Sequence, residues 1–287
     1  MLEDRVRRVD GVAVREWGEA DWPTAVLWHA VGPLASGAYG RELAPALVGR
    51  RCWRLLAPDA PGYGLTPPRA PDAYELDALA DLLLALAGER AALIGHSWGG
   101  AVALSAAAAR PDSVSAVILL DSGHFDYQDL EDVDPDATLE DLTEQSRARL
   151  VPVADWDELV REVRGDIRRE PTEALLRIFR EGAEQRDDGL WPKSPPEVRA
   201  AALLGLLRGR RMSALWPVLG EAGVPVLLVT ATEPPESRAL NDEAAARLLA
   251  AIPTAEWRRV DDAGHDLIAD RGPELGELVA DWLATRP

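Results

Sequence analysis

The feature that most constrains this chain is a serine held between glycines, the Gly-x-Ser-x-Gly segment GHSWG at residues 95–99. A continuously apolar run precedes it at residues 91–94, and an alanine-rich run follows it at residues 101–109. This order predicts a strand, a tight turn with Ser97 at its tip, and a helix. Side chains in place of the two glycines would collide with neighbouring backbone, so the turn requires glycine at both positions.

A turn of this kind lifts the hydroxyl of Ser97 above the edge of a sheet, where it can reach a substrate. The helix that begins near Trp98 adds a partial positive charge where negative charge develops during attack on a carbonyl. A serine hydroxyl is a poor nucleophile until a base removes its proton. We therefore expect Ser97 to be a nucleophile and look for its base.

The chain has four histidines, and one of them lies where a base is needed. His265 ends a predicted loop between the last strand and the last helix. His96 is the neighbour of Ser97 and cannot reach its hydroxyl productively, while His29 and His124 lie at or just after the ends of strands. We expect His265 to be the general base.

Outside residues 125–221, the chain alternates between short apolar or β-branched runs and helical patterns, which predicts an α/β fold with a mostly parallel sheet. The predicted strands are residues 6–9, 12–17, 25–29, 53–57, 91–95, 115–120, 226–230 and 256–260. The predicted helices of this alternating part are residues 77–86, 101–109, 241–251 and 274–283.

The alternation breaks over residues 125–221, where helical spacing dominates and strand-like runs are few. Residues 126–144 carry nine acidic side chains and no basic one. Ligands of α/β proteins bind beyond the carboxyl ends of the strands, and this segment follows the sixth strand. We therefore expect a helical lid over the active site; a solvated helical excursion is the alternative.

Charge and cysteine content exclude several classes of protein. The net charge of −18 disfavours nucleic acid and anionic membrane surfaces as partners. Cys52 is the only cysteine, so no intrachain disulfide can form, and we expect it to be buried at the start of a strand. One cysteine and four histidines form no metal-binding pattern, and no apolar run is long enough to span a membrane, which predicts a cytoplasmic protein without a cofactor.

Four segments together resemble the α/β-hydrolase fold superfamily: LWHAV at residues 27–31, PDAPGYG at 58–64, the Ser97 turn, and AGH at 263–265. The resemblance implies an eight-stranded, mostly parallel sheet flanked by helices, with the chain order serine, acid, histidine. It implies a core of residues 1–124 and 222–287, and a helical lid of residues 125–221 inserted after the sixth strand.

The resemblance also assigns an oxyanion hole. Its two donors are the backbone N–H groups of Val31, in the segment after the third strand, and of Trp98, the residue after the serine. Ala30 stands where the family usually has glycine, which leaves both donors in place. His29 is then a structural residue that holds the loop backbone.

The acid of the triad has two candidates. Most members of the superfamily carry it after the seventh strand, where this chain has Pro234 at the matching position and Glu233 one residue before it. A minority carry it after the sixth strand, where this chain has Asp121. Either acid would hold His265 in the required tautomer and stabilise the imidazolium.

The predicted function is a serine hydrolase that cleaves a carboxylic ester, lactone or thioester through an acyl-enzyme on Ser97. We expect a small-molecule substrate with an apolar acyl group, because the ten tryptophans indicate an aromatic pocket; the alternative is that they are core residues. Examples are Trp28, Trp98, Trp156, Trp191 and Trp216. A proline-iminopeptidase-like peptidase, with acids of the lid holding the substrate amine, and a ligand-binding protein with little turnover are the alternatives. Dehalogenases and epoxide hydrolases of this superfamily carry an aspartate in place of Ser97. The oligomeric state stays open.

Overall fold

The structure, a computed structural model, describes residues 3–32 and 34–286, apart from the side chains of Arg50 and Ser237. Met1, Leu2, Pro33 and Pro287 of the predicted core therefore lie outside the described residues. The strands are β1 (Arg5–Val9), β2 (Val12–Trp17), β3 (Thr24–Trp28), β4 (Arg54–Pro58), β5 (Ala91–His96), β6 (Val114–Leu120), β7 (Ala183–Arg186), β8 (Gly189–Pro192), β9 (Val226–Ala231) and β10 (Ala255–Val260).

Eight of these strands form one sheet in the order β1-β2-β4-β3-β5-β6-β9-β10. Strand β2 is antiparallel to its two neighbours, and the other pairs are parallel. The prediction of an eight-stranded, mostly parallel sheet is confirmed. All eight predicted strands are present, with ends shifted by one residue or less.

Helices cover both faces of the sheet. They are α1 (Gly40–Arg51), α2 (Leu76–Ala87), α3 (Trp98–Ala109), α4 (Leu139–Arg149), α5 (Trp156–Asp166), α6 (Glu173–Gly182), α7 (Pro196–Arg208), α8 (Met212–Ala222), α9 (Arg238–Ala251) and α10 (Leu267–Leu283). Apolar residues of α2, α3, α8 and α9 share one core, and those of α1 and α10 share the other. None of the helices in the described ranges is both long and apolar enough to cross a membrane.

The two cores follow from the two-residue period of the strands. Within β5, Leu93 belongs to the core with α2 and α3, while the next residue, Ile94, belongs to the core with α1 and α10. Val117 and Ile118 of β6 divide in the same way. Since both faces are buried, both sets of side chains must be apolar, which explains the continuous apolar runs.

Helix α1 was missing from the sequence prediction, and the expectation for Cys52 was wrong. The helix contains Pro45 and is buried on most sides, so its sequence has no clear apolar stripe. It extends to Arg51, and Cys52 ends it in a left-handed conformation with φ 52°. Cys52 is therefore an exposed residue of the connection to β4 rather than a buried strand residue.

The segment between β6 and β9 packs on both sides of the sheet. Leu142 of α4 and Val198 of α7 join the core that contains α2 and α3. Leu159 of α5 and Ile178 of α6 join the core that contains α1 and α10. The segment thus contacts both faces of the sheet. Its polar hairpin β7–β8 is absent from the sequence prediction. Its last helix, α8, packs against α3.

A buried ionic cluster ties this segment to the first strands. The guanidinium of Arg41 in α1 lies 2.9 Å from a carboxylate oxygen of Asp4 and 2.9 Å from one of Glu181 in α6. Arg15 of β2 pairs with the same two carboxylates. Because the arginines and Asp4 are almost fully buried, the charges depend on one another for compensation.

Replacing Arg41 with methionine should lower the free energy of unfolding by about 3 kcal/mol, because Asp4 and Glu181 lose a partner in a buried place. Urea denaturation measures this change. Arg51→Met, at the exposed pair of α1 with Asp281, is the matched control and should cost less than about 1 kcal/mol. Equal losses in the two variants would contradict the structural role of the buried cluster.

Candidate active site

Ser97 occupies a strained turn between β5 and α3. Its backbone has φ 54° and ψ −120°, a conformation that residues other than glycine rarely adopt. A side-chain carbon at Gly95 would lie 2.2 Å from the carbonyl oxygen of Gly99, and one at Gly99 would lie 2.1 Å from that of Trp28. The glycines of the segment are therefore required by backbone contact, as the sequence indicated.

His265 and Ser97 come together at the carboxyl ends of the strands. Nε2 of His265 lies 2.8 Å from Oγ of Ser97, and Nδ1 lies 2.7 Å from Oδ2 of Asp121. Since an ionised carboxylate only accepts hydrogen bonds, Nδ1 carries the proton and donates a hydrogen bond to Asp121. Nε2 is then free to accept the hydroxyl proton of Ser97.

Of the two candidate acids, the structure brings Asp121 to the imidazole and leaves Glu233 elsewhere. Asp121 follows β6 directly, has φ 47°, and accepts a second hydrogen bond on Oδ1 from the N–H of Ala231 at 3.0 Å. Glu233 accepts a hydrogen bond from Arg238 at 3.0 Å. Both oxygens of Asp121 are thus held, which sets the direction of the carboxylate toward His265.

The opposite charges of His265 and Asp121 shift the pKa values of both side chains. The protein atoms packed around His265 lower its pKa, although 62% of the side-chain surface is accessible. The hydrogen bond and charge of Asp121 outweigh this, helped by Asp266, so the pKa of His265 is raised. Burial raises the pKa of Asp121, but the interaction with His265 prevails and the net pKa is lowered. The pair therefore favours an ionised acid beside a histidine that readily accepts a proton.

The loop of His265 is braced by two residues that sequence reasoning had not assigned to the site. The buried ring of His96 donates from Nε2 to the carbonyl oxygen of His265 at 2.7 Å. The carboxylate of Asp270 accepts from the N–H of Gly264 at 2.6 Å and from the N–H of Arg168 at 2.8 Å. The available signal for Asp270 was an acid in the apolar first turn of the last helix.

The predicted oxyanion-hole residues, Val31 and Trp98, line one cavity together with Ser97. Trp98 is the first residue of α3, so its N–H has no acceptor within the helix. His29 donates from Nδ1 to Ala30 O at 2.7 Å and accepts the N–H of Ala60 on Nε2 at 3.0 Å. Burial lowers the pKa of His29 to about 4, so this ring is a neutral brace.

The cavity beside Ser97 has a volume of about 240 Å³ and mostly apolar walls. The side chains of residues 125–221 that line it are Phe125, Tyr127, Gln128, Leu130, Leu203, Leu206 and Met212. Of the tryptophans named in the sequence prediction, Trp98 lines the cavity. Trp216 is not a lining residue, but it donates to the carbonyl of Gly123, which does line the cavity. Aliphatic side chains, more than indoles, therefore make the pocket apolar.

Comparison with known families matches residues 22–277 to the alpha/beta hydrolase family, and the chain belongs to this family. A Bacillus subtilis AB hydrolase superfamily protein, YfhM, is 34% identical over 37% of this chain and 38% of its own length. A pimeloyl-[acyl-carrier protein] methyl ester esterase of Aeromonas hydrophila is 33% identical over 39% of this chain and 41% of its own length. The matches thus span about two fifths of these relatives.

Solved structures share the fold over nearly the whole chain. A thioesterase domain from the curacin biosynthetic pathway superposes with a TM-score of 0.73 and 19% identity, covering 98% of this chain and 99% of that one. An E-2-(acetamidomethylene)succinate hydrolase gives 0.72 and 22%, with the same coverage. At these identities the likeness concerns the fold.

Titration of the histidines tests the pairing at the site. In the wild-type protein, the pKa of His265 should lie above its ordinary value of 6.5. Asp121→Asn removes the charge and leaves the packed surroundings, so the pKa of His265 should fall. Imidazole NMR signals followed against pH measure this, with Glu233→Gln as the control that leaves the titration unchanged. If the pKa of His265 shifted in Glu233→Gln and stayed unchanged in Asp121→Asn, the acid that partners His265 would be Glu233 instead of Asp121.

Proposed function

We propose that this protein is a serine hydrolase that cleaves a carboxylic ester, lactone or thioester through an acyl-enzyme on Ser97. The observation that carries the proposal is the continuous hydrogen-bonded series from Ser97 through His265 to Asp121 at the edge of an apolar cavity. A serine in a strained turn, with a base and an ionised acid behind it, is the arrangement that nucleophilic acyl transfer needs.

The chemistry proceeds in two halves. His265 takes the proton of Ser97 as the oxygen attacks the carbonyl carbon, and the imidazolium that forms is stabilised by Asp121. His265 then donates this proton to the leaving alcohol or thiol, and the bond from the carbonyl carbon to that group breaks. A water then gives a proton to His265 and attacks the acyl carbon; the bond from that carbon to Ser97 Oγ breaks, and His265 returns the proton to Ser97 as the acid leaves.

The oxyanion of each tetrahedral intermediate binds the N–H groups of Val31 and Trp98 in this proposal. The Tyr63 hydroxyl donates to the carbonyl of Val31 at 3.4 Å, which helps to hold the loop after β3. The positive end of α3 supports the same charge. Neither contribution requires a metal or a cofactor.

Residues 125–221 form the lid in this proposal, and residues 1–124 and 222–287 the core. Six apolar or aromatic side chains of the segment between β6 and β9 line the same cavity as Ser97. A wall of this kind suits an apolar acyl chain and excludes water from the reacting carbonyl. The names of two comparison proteins, a methyl ester esterase and a thioesterase domain, support an ester or thioester substrate.

The rival functions find less support at the site. A peptidase that recognises a substrate amine needs a carboxylate in the pocket, and among the described residues lining the cavity the one carboxylate is Asp121, already engaged by His265. Epoxide hydrolase and dehalogenase chemistry is disfavoured because a serine, Ser97, occupies the turn.

Activity against p-nitrophenyl butyrate and a short acyl thioester tests the proposal. Ser97→Ala should lower kcat/KM by at least ~10³-fold, and Asp121→Asn by a similar factor, since each removes part of one catalytic unit. Glu233→Gln, the matched control for the acid, should keep wild-type activity. A fluorophosphonate probe should label the wild type at Ser97. Turnover in Ser97→Ala equal to that of the wild type would refute the hydrolase assignment, and an unreactive Ser97 would favour a binding protein.

The pH dependence of kcat/KM follows from the histidine. His265 must be neutral to accept a proton, and its pKa is raised above 6.5, so kcat/KM should increase with pH through one transition above that value. Asp121→Asn should move the transition to lower pH, because the charge that raises the pKa is gone. Rate profiles at constant ionic strength measure both, and an unchanged transition in the variant would count against Asp121 as the partner.

A further inference from the structure

One arginine of the segment between β6 and β9 lies in line with the cavity wall. Leu203 and Leu206 of α7 line the cavity beside Ser97. Arg199 precedes them by four and seven residues, so the three side chains share one face of the helix. The next residue back, Val198, packs against the turn at Gly62, which precedes Tyr63. Arg199 is therefore at the end of the apolar wall that approaches the oxyanion-hole loop.

Arg199 differs from the other shielded arginines in its partners. The buried or half-buried arginines 15, 41, 54, 169, 271 and 286 each have a carboxylate within ion-pair distance. Arg199 is also half-buried, but unlike those arginines it has no carboxylate within ion-pair distance among the described residues. Its hydrogen bond runs from Nη1 to the buried hydroxyl of Ser146 at 3.1 Å. A guanidinium has five N–H donors, so most remain available.

The ionisable neighbours of Arg199 make this position unusual in a chain of net charge −18. Burial lowers the pKa of Arg199, and the positive charge of Arg149 lowers it further. Burial also raises the pKa of Tyr127, which lines the cavity, while Arg199 and Arg149 act in the opposite direction. The charges of Arg199 and Arg149 thus act on Tyr127, which lines the cavity, and Arg199 lies one helical turn before the cavity-lining Leu203. Among the described residues, no carboxylate forms an ion pair with Arg199. An unpaired, partly desolvated charge costs free energy that a bound anion would offset.

We propose that Arg199 is a substrate-binding residue and that the preferred substrate is an ester or thioester whose acyl chain ends in a carboxylate. The proposal deepens the proposed function and rests on it. The acyl chain lies along Leu203 and Leu206, its reacting carbonyl is at Ser97, and its far carboxylate accepts hydrogen bonds from Arg199. A carboxylate suits this place because a planar guanidinium binds it through two parallel N–H···O bonds. The apolar wall between the two ends suits a methylene spacer.

A pair of substrates tests the proposal directly. One is the monomethyl ester of a linear dicarboxylic acid, and the other is the same ester with a carboxamide in place of the free carboxylate. The wild type should prefer the anion in kcat/KM, with an optimum at one spacer length in a series of increasing length. Arg199→Gln should lower the ratio of kcat/KM for the anionic ester to kcat/KM for the amide ester by about 10- to 100-fold. Arg199→Lys should lower this ratio by less.

Arg208→Gln is the matched control. It removes the same charge from the same helix, but Arg208 is exposed and nine residues away, on the opposite face. In Arg208→Gln, the ratio of kcat/KM for the anionic ester to that for the amide ester should equal the wild-type ratio. An equal fall in Arg208→Gln would show that net charge attracts the anion rather than Arg199, and would overturn the proposal.

The remaining outcomes separate this proposal from the one on which it rests. Calorimetric binding of the dicarboxylic acid itself should be weakened in Arg199→Gln and kept in Ser97→Ala, since no turnover is involved. Equal use of anion and amide by the wild type, with activity lost in Ser97→Ala, would overturn the anion site and leave the hydrolase intact. Undiminished turnover of either ester in Ser97→Ala would overturn the hydrolase itself.

Discussion

The site depends on two residues with positive φ, Ser97 and Asp121, at the carboxyl ends of paired strands. His96 and Leu120 are partners in the register of β5 and β6, so Ser97 and Asp121 leave the sheet side by side. The strain of such residues is about 1–3 kcal/mol each and persists only where the surroundings impose it. Here the N–H of Ser97 donates to the carbonyl of Leu120, and the N–H of Asp121 donates to that of Val229. The sheet itself therefore holds Ser97 and Asp121 at a set spacing.

The histidine reaches this pair from a loop, and loops need additional restraint to hold a side chain accurately. The hydrogen bond from His96 and those to Asp270 supply it. Asp270 also holds the backbone of Arg168, which belongs to the segment between β6 and β9. The same segment reaches the opposite core through α7, where Arg199 and the apolar cavity wall are found. The cavity beside Ser97 and the loop of His265 thus both contact the segment between β6 and β9, which packs on both sides of the sheet.

Much of this architecture could be predicted from local sequence, and the failures have identifiable causes. The central strands β5, β6 and β9 were predictable because two buried faces demand uninterrupted apolar residues. The Ser97 turn was predictable because backbone contact excludes any side chain at its glycines. Helix α1 was missed because burial on most sides removes the amphipathic period. The position of Cys52 was misjudged for the same reason, since it follows the end of that helix. The hairpin β7–β8 has a polar first strand and no apolar alternation to reveal it.

The sequence by itself determined the order of strands and helices, the strained turn at Ser97 and the loop position of His265, because each depends on neighbours within a few residues. The choice between Asp121 and Glu233 required the tertiary structure, because it depends on which strand end lies closest to the imidazole. The tertiary structure also decided the composition of the cavity wall and left Arg199 without an ion pair to any carboxylate of the described residues. Both features arise from residues far apart in the chain, which only the packing of the inserted segment against the sheet brings together.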